Sequence, residues 1–253
     1  MAGKIALDWA ASSETGLVRQ NNEDSAYAGR LLYAVADGLG GHAAGEVASA
    51  AAIEVLRAYD TETDPAALLE TLGRAVAEAN REIDRRAAED PARLGMGTTL
   101  TAMLCSGTAA ALVHIGDSRA FRLRGGHLRQ ITEDHVLGKL ISGADALAPV
   151  LSRYLDGNLG RSPDLGLREL HPGDRYLLCS DGLSPIVSTA AVKDVLMAAA
   201  DPQDAVHQLV GLAEAAGGED NITAIVVDVH PAGAAAEVSE PVTLGAAAGA
   251  LAS

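Results

Sequence analysis

Between residues 43 and 90 the chain reads as two helices in succession, with no strand between them. The first follows the apolar run LLYAVA and is rich in small residues as far as Tyr59. The second opens at Asp64-Pro65, an aspartate placed to cap and a proline suited to a first turn. Leu69, Leu72, Val76, Ala79 and Ile83 then recur at alternating spacings of three and four, which puts them on one helical face. Another helix pair follows RYLLCS (175–180); its second member is opened by Asp201-Pro202 and closed by Gly217-Gly218. Strands are grouped as well. Residues 3–11 and 31–36 read as strands, then TTLTAMLC (98–105), AALVHIG (110–116) and AFRLRGGHLRQI (120–131), the last a hairpin about Gly125-Gly126, with ITAIVVDV (222–229) at the end. Strict alternation of strand and helix is absent, so a doubly wound parallel sheet is disfavoured. Runs such as ALVHI and ITAIVV are apolar on both faces and need cover on both sides. The pattern predicts an α+β fold, a sandwich of antiparallel sheets flanked by helices. Residues 134–165 are mixed and glycine-dotted and predict no ordered element. Residues 231–253, rich in Ala, Gly, Ser and Pro, predict a flexible tail behind a single domain spanning 1–230.

Composition narrows the chemistry. Asp and Glu number 34 against 19 Lys and Arg, a formal net charge of −15, and no Lys/Arg cluster stands out, so a nucleic-acid binder is disfavoured. The acidity suits a cytoplasmic protein or one that concentrates cations, and it suits an unaided phosphate site poorly. Aromatic residues are only 3%, so the core must be built of Ala, Val, Leu and Ile. Cys105 and Cys179 lie in apolar runs without zinc-ligand or disulfide-framework spacing and read as buried, reduced thiols. The N-terminus lacks the apolar core of a signal peptide. The longest apolar run, VTLGAAAGALA, is too short to cross a membrane.

The stretch VADGLGGH (35–42) admits two readings. Gly38, Gly40 and Ala43 satisfy the dinucleotide-binding pattern G-x-G-x-x-A, and Asp60 lies about where a ribose-binding acid would stand. That motif requires a strand soon after its helix, where this chain offers a second helix. Asp37, directly before the first glycine, would also repel a pyrophosphate. The other reading starts from repetition. Asp37, Asp117 and Asp181 each end an apolar strand, and Asp220 directly precedes one. A single Asp-Gly is ordinarily a turn. Four aspartates at strand tips can instead converge, and convergent carboxylates require a cation. Oxygen-only ligands select a hard ion, Mg²⁺ or Mn²⁺.

RQNNED (19–24), VADGLGGH (35–42), GTTLT (97–101), HIGDSR (114–119), TEDH (132–135), LLCSDGL (177–183) and GGEDN (217–221) occur in this order. Together they resemble the PPM family of metal-dependent, type 2C Ser/Thr protein phosphatases in its bacterial form, over roughly residues 5–230. The resemblance implies a four-layer α-β-β-α sandwich, two central antiparallel sheets flanked by helix pairs. It implies hydrolysis of phosphoserine and phosphothreonine on proteins at two Mn²⁺ or Mg²⁺ ions, with a third ion in bacterial members. By this likeness Asp37 bridges two ions and the Gly38 carbonyl adds a ligand. Asp181 and Asp220 complete the other shell, and Asp117 with Asp181 holds the third ion. Glu23 and Asp24 match an acidic pair that contacts the waters of the metal centre, and Arg19 matches the arginine that clamps the substrate phosphate. A phosphoprotein substrate, an opposing Ser/Thr kinase and a monomeric state follow from the same likeness. A catalytically silent phosphoprotein binder is the alternative, and the intact acidic set argues against it.

The chemistry agrees with the residue types. Paired cations make a hydroxide nucleophile available near neutral pH, and a guanidinium can hold two phosphoryl oxygens at once. No covalent phosphoenzyme is needed. Neither cysteine begins a C-x₅-R motif; Ala111 and Pro185 stand at the arginine position. The sequence departs from eukaryotic members at Leu39, where they carry a general-acid histidine, with His42 as a weaker candidate. The flap expected over 136–165 is short. Thr98 and Thr99 are expected to hydrogen-bond beneath the site, Arg119 to anchor the Asp117 turn by a salt bridge, and His114 and His135 to be structural.

Overall fold

The computed structural model describes residues 5–39, 44–137, 150–158, 160–233 and 239–252. The order begins with β1 (Ile5–Glu14), β2 (Asp24–Ala28) and β3 (Leu32–Leu39), then α1 (Gly45–Arg57), a 3₁₀ turn and α2 (Leu68–Glu89). Next come β4 (Gly97–Thr98), β5 (Leu100–Ser106), β6 (Ala109–Ile115), β7 (Arg119–Arg124) and β8 (His127–Gln130). The short β9 (Val136–Leu137) and β10 (Val150–Leu151) pair with each other, and β11 (Asp164–Glu169) and β12 (Arg175–Cys179) follow. The chain ends with α3 (Thr189–Ala198), α4 (Pro202–Ala215), β13 (Ile222–Pro231), β14 (Val242–Gly245) and α5 (Ala246–Ala252).

The punctuation read from sequence sets these bounds. Asp64 accepts a hydrogen bond from the Ala66 amide at the start of the α2 segment, and Asp201 caps α4 through the Asp204 amide. Gly125 and Gly126 both have positive φ, 55° and 76°, as the tight β7–β8 turn requires. Helices α1 and α2 follow each other directly, so the strand a dinucleotide fold would need is absent from the described residues. Asp60, the would-be ribose acid, instead accepts hydrogen bonds from the amides of Arg30, Leu31 and Leu32 and from the Tyr27 hydroxyl. It clamps the β2–β3 turn.

Two antiparallel sheets result, one ordered β1-β13-β12-β7-β8 and the other β11-β6-β5-β3-β2-β14, with β4 beside β3. Alternation along the strands divides the apolar residues into three layers. Tyr33, Val35, Met103, Tyr176, Leu178 and Ile225 fill the space between the sheets. Leu32, Ala34, Leu104 and Val113 pack against α1 and α2 on one outer face, and Leu177, Cys179 and Val226 against α3 and α4 on the other. This is the expected four-layer α-β-β-α sandwich. With so few aromatic residues, close approach does the packing. Ala48, Ala50, Ala51 and Ala52 of α1 are all buried. Among the described residues no helix is long and apolar enough to cross a membrane.

The expected flexible tail does not hold. Strand β13 runs on to Pro231, and Val242–Gly245 returns as β14 to pair with β2 from Val242↔Ala28 to Gly245↔Ser25. Alanines that suggest a linker in composition also make a good helix, and Ala247 is fully buried in the layer of α1 and α2. The Ala247 amide donates to Ser25 Oγ. Removing residues 239–253 would therefore strip the edge of β2. We expect a fall in Tm of about 5–10 °C by circular dichroism, equivalent to ~2–3 kcal/mol for a domain of this size. An unchanged Tm would show that β14 and α5 contribute nothing to the sandwich.

Candidate active site

Strands β2 and β3 place Asp24 directly opposite Asp37. Like charges at paired positions are unfavourable, and here they are also withdrawn from water. Asp24 is 1% exposed and accepts a 2.7 Å hydrogen bond from Thr223 Oγ1. Burial, reinforced by the charges of Asp181 and Asp220, raises its carboxyl to about 7 against the hydrogen bonds of Thr223 and Ser180. Burial also lifts Asp37 well above the ordinary carboxylate range, with Asp24, Asp181, Asp117 and Asp220 adding to the shift. Asp117, in the turn after β6, is raised to about 6 by burial and by Asp181, and Asp181, after β12, is raised by burial and by Asp220.

These tips meet in one cavity of about 210 Å³ lined by Arg19, Glu23, Asp37, Gly38, Leu39, Asp117, Leu151, Asp181, Asp220 and Asn221. Seven of the eight residues singled out in sequence therefore share a single space. Asp24, the eighth, lies behind Asp37 and does not line the cavity. Arg19 Nη2 donates to Asp220 Oδ2 at 2.7 Å, so the two residues expected to grip phosphate and metal grip each other here. Among the described lining residues Arg19 alone has a cationic side chain.

The backbone beneath is tightly held. The Asp37 amide donates to Thr99 Oγ1, and the Asp37 carbonyl accepts from both Thr98 Oγ1 and the Thr99 amide. Thr99 Oγ1 also meets Ser118 Oγ at 2.8 Å, which ties the Asp37 strand to the Asp117 turn. Gly38 sits against Gly45 at the head of α1; a Cβ on Gly38 would lie 2.4 Å from the Gly45 carbonyl oxygen. No side chain fits there. Strand β3 also continues to Leu39, two residues beyond the aspartate that was expected to end it.

Asn221 is the residue that sequence reading passed over. Its Oδ1 accepts from the Glu23 amide at 2.8 Å, and its Nδ2 donates to the carbonyls of Thr15 and Asn21. It pins the segment carrying Arg19 and Glu23 beside Asp220. Its signal was its place at the end of GGEDN, directly after a proposed ligand. Arg119 makes a salt bridge, but to Asp134, at 2.6 Å and through two nitrogens. The bridge ties the Asp117 turn, which Arg119 follows, to the neighbouring loop, as expected. His135 Nδ1 accepts from the Gly116 amide, and its own amide donates to the Gly116 carbonyl. His114 lies between Thr101 Oγ1 and the Glu133 carbonyl, and burial with the neighbouring His135 lowers it to about 4, so it is neutral. Both histidines are structural. Burial pushes the thiols of Cys105 and Cys179 up to about 12 and about 11. His42, and residues 138–149 of the expected flap, lie outside the described residues.

The profile of a family described as protein phosphatase 2C matches residues 14–216. The chain belongs to that family. It is 44% identical over 235 residues to the serine/threonine protein phosphatase PstP of Mycobacterium tuberculosis, covering 89% of this chain and 45% of PstP. The chain thus spans about half the length of that relative. It is 32% identical to protein phosphatase PhpP of Streptococcus pneumoniae, over 86% of this chain and 96% of PhpP. Among solved structures, the catalytic domain of PstP in complex with two manganese ions superposes with a TM-score of 0.82 at 45% identity, covering 89% of this chain and 99% of that domain.

The donor set of this phosphatase 2C domain fits a hard divalent cation. Among the described residues the ionisable groups facing the cavity are carboxylates, apart from Arg19, and burial with mutual repulsion raises Asp37, Asp117 and Asp181. Among the described residues no three acidic, histidine or cysteine side chains are already closed around one point, in keeping with Asp220 turned towards Arg19. The electrostatics have a measurable sign. Folded-state carboxyls raised to about 6 and about 7 hold protons that the unfolded chain has released. Stability must then fall as pH rises from the ordinary carboxylate range towards 7. We expect the Tm of chelator-treated protein to decrease across about pH 4.5–7, and the slope to flatten in Asp24→Asn. A Tm that rises over this window would show that the carboxylates do not feel one another.

Proposed function

We propose that this domain is a metal-dependent protein-serine/threonine phosphatase. It would hydrolyse phosphoserine and phosphothreonine on proteins by direct attack of water at two Mn²⁺ or Mg²⁺ ions, with room for a third. The observation that carries the reading is the convergence of four strand-tip carboxylates and one arginine, from both sheets, on one cavity. Asp37, the Gly38 carbonyl, Asp181 and Asp220 would hold two of the ions. Asp117 and Asp181 would hold the third ion and Glu23 the waters of the centre, while Asp24, expected to share that role, lies behind Asp37 outside the cavity. When bound, such ions supply Lewis acidity towards the attacking water and the phosphoryl oxygens.

The chain's own residues divide the remaining work. Arg19 binds two phosphoryl oxygens and orients the group for in-line displacement. It is positioned for exchange, because a cation on Asp220 removes its present partner. Asp24 stands opposite Asp37 on the neighbouring strand and is itself anchored by Thr223. Direct attack suits the cavity wall, since none of its described lining residues is Ser, Thr, Cys or His. A phosphoenzyme on Ser, Thr, Cys or His would have no nucleophile among them, and the aspartates are those proposed to hold the ions. Leu39 occupies the wall where a proton donor would be useful, so the leaving oxygen takes its proton from water. The domain's substrates would be cytoplasmic phosphoproteins, with a Ser/Thr kinase as the opposing partner.

The reading is tested by hydrolysis of p-nitrophenyl phosphate and of a phosphothreonine peptide. Activity should appear with Mn²⁺ and vanish with chelator. No activity in saturating Mn²⁺ would favour the silent binder. Asp37→Asn should lower kcat by about three orders of magnitude, since several kcal/mol of charge stabilisation depends on the ions it holds. Its fold should survive, and turnover near that of the wild type would remove Asp37 from the centre. Arg19→Ala should raise KM by about 10- to 100-fold, matching ~1.5–3 kcal/mol of charge-assisted hydrogen bonding. An unchanged KM would take Arg19 out of the substrate site.

A further inference from the structure

A second polar space opens from the layer between the sheets, at the edge formed by β8 and β11. Its volume is about 580 Å³, and its walls include Arg122, Arg129 and Arg168. The register explains how three guanidiniums come together. Arg122 pairs with Tyr176, a residue of the inter-sheet core, so it faces the same layer. Arg129 stands directly opposite Arg122. Across the gap, Gly166 pairs with Leu112 of the same core, and Arg168 lies two residues further along that face. The inter-sheet core ends at this edge in arginine from both sheets.

None of the three forms an ion pair among the described residues, in a chain where acidic residues outnumber basic ones 34 to 19. Arg124, two residues beyond Arg122 on the same face, shows the usual solution: Asp174 binds its Nε and Nη2, both at 2.6 Å. Arg122 has no such partner, and its Nε is buried without a hydrogen bond. Arg168 donates only to the carbonyls of Leu167 and Ile131. Two carboxylates reach the walls. Asp164 is already engaged by Arg153 at 2.9 Å and His135 at 3.1 Å, and Glu133 pairs with none of the three arginines. Gly166 keeps the space clear, since a Cβ there would lie 2.8 Å from Arg168 Nη1. Paired guanidiniums facing each other are unfavourable unless an anion lies between them.

We propose that Arg122, Arg129 and Arg168 form a binding site for a phosphoryl oxyanion, separate from the carboxylate cavity. Guanidinium forks match phosphate oxygens two at a time, and three of them favour a dianion over a single carboxylate. The space exceeds inorganic phosphate and falls in the range of small-ligand sites, so it accepts a phosphoryl group carried on a larger molecule. This site does not rest on the phosphatase reading. Its charge is opposite to that of the proposed catalytic centre, and it requires no metal.

Titration calorimetry on the metal-free full chain tests it, with inorganic phosphate, pyrophosphate and a phosphothreonine peptide beside its unphosphorylated form. Chelator removes the carboxylate cavity as an anion site. We expect saturable binding that weakens at least about tenfold in Arg122→Gln/Arg129→Gln, through loss of charge-assisted hydrogen bonds, and is unaffected by Arg19→Ala. Gly166→Leu, which fills the space and pushes the Arg168 guanidinium aside, should weaken binding likewise and serves if the double variant does not fold. Hydrolysis of p-nitrophenyl phosphate should survive in both. Binding of the free anions identifies a soluble phosphate compound as occupant. Binding of the phosphopeptide alone identifies a phosphorylated residue. If none of the probes binds, or if binding persists in the variants, the site is overturned.

Discussion

The strand register that buries the inter-sheet core also forces the acidic residues together. Asp24 lies in step with Ala26 and Ala28, and Asp37 with Tyr33 and Val35, all on the face between the sheets. The intervening residues Tyr27, Ala34 and Ala36 face the helices. A slip of one residue would turn both apolar sets to the wrong side. The two carboxylates therefore cannot escape each other without dismantling two cores. Repulsion at the strand tips is held in check by apolar burial along the strands.

That constraint explains where the polar reinforcement sits. Asp60 fixes the far turn of the β2–β3 hairpin through three amides, Thr98 and Thr99 hold the Asp37 backbone, and Asn221 ties the Glu23 segment to β13. None of these contacts removes charge from the cavity. They fix its geometry and leave the electrostatic imbalance for a bound cation to relieve. The Arg19–Asp220 pair relieves part of it meanwhile. Their side chains are 48% and 38% exposed, so this contact is worth little in stability and is readily exchanged.

The sequence showed the helix pairs, the Gly125-Gly126 hairpin and the strand-tip aspartates because each rests on local chemistry: periodicity, capping or turn preference. What it hid depends on partners distant in the chain. DSAYA is too short and too small to announce itself as β2, and it becomes a strand because β3 and β14 flank it. The final alanines resemble a linker until α1 supplies a face for them. Asn221 looks like a turn residue because its three partners lie about 200 positions away. Arg119 was correctly seen as an anchor of the Asp117 turn, but only tertiary structure could name Asp134 as its partner. Convergence of the acidic residues themselves could be suspected from sequence and required the family resemblance to be argued.

The two polar openings of the inter-sheet layer follow from where strands stop and where sheets stop. At the tips, loops enter from both sheets, and their aspartates meet because neighbouring strands end at one level. At the β8–β11 edge, no further strand covers the inward positions, and long arginines fill them with their stems against Leu112 and Tyr176. A dianion approaching the tips meets like charge unless cations are already present. The same dianion approaching the edge would meet three arginines that outnumber the two carboxylates there, Glu133 and Asp164. One layer would thus carry both proposed modes of phosphate recognition, one conditional on metal and one not, their separation set by strand register.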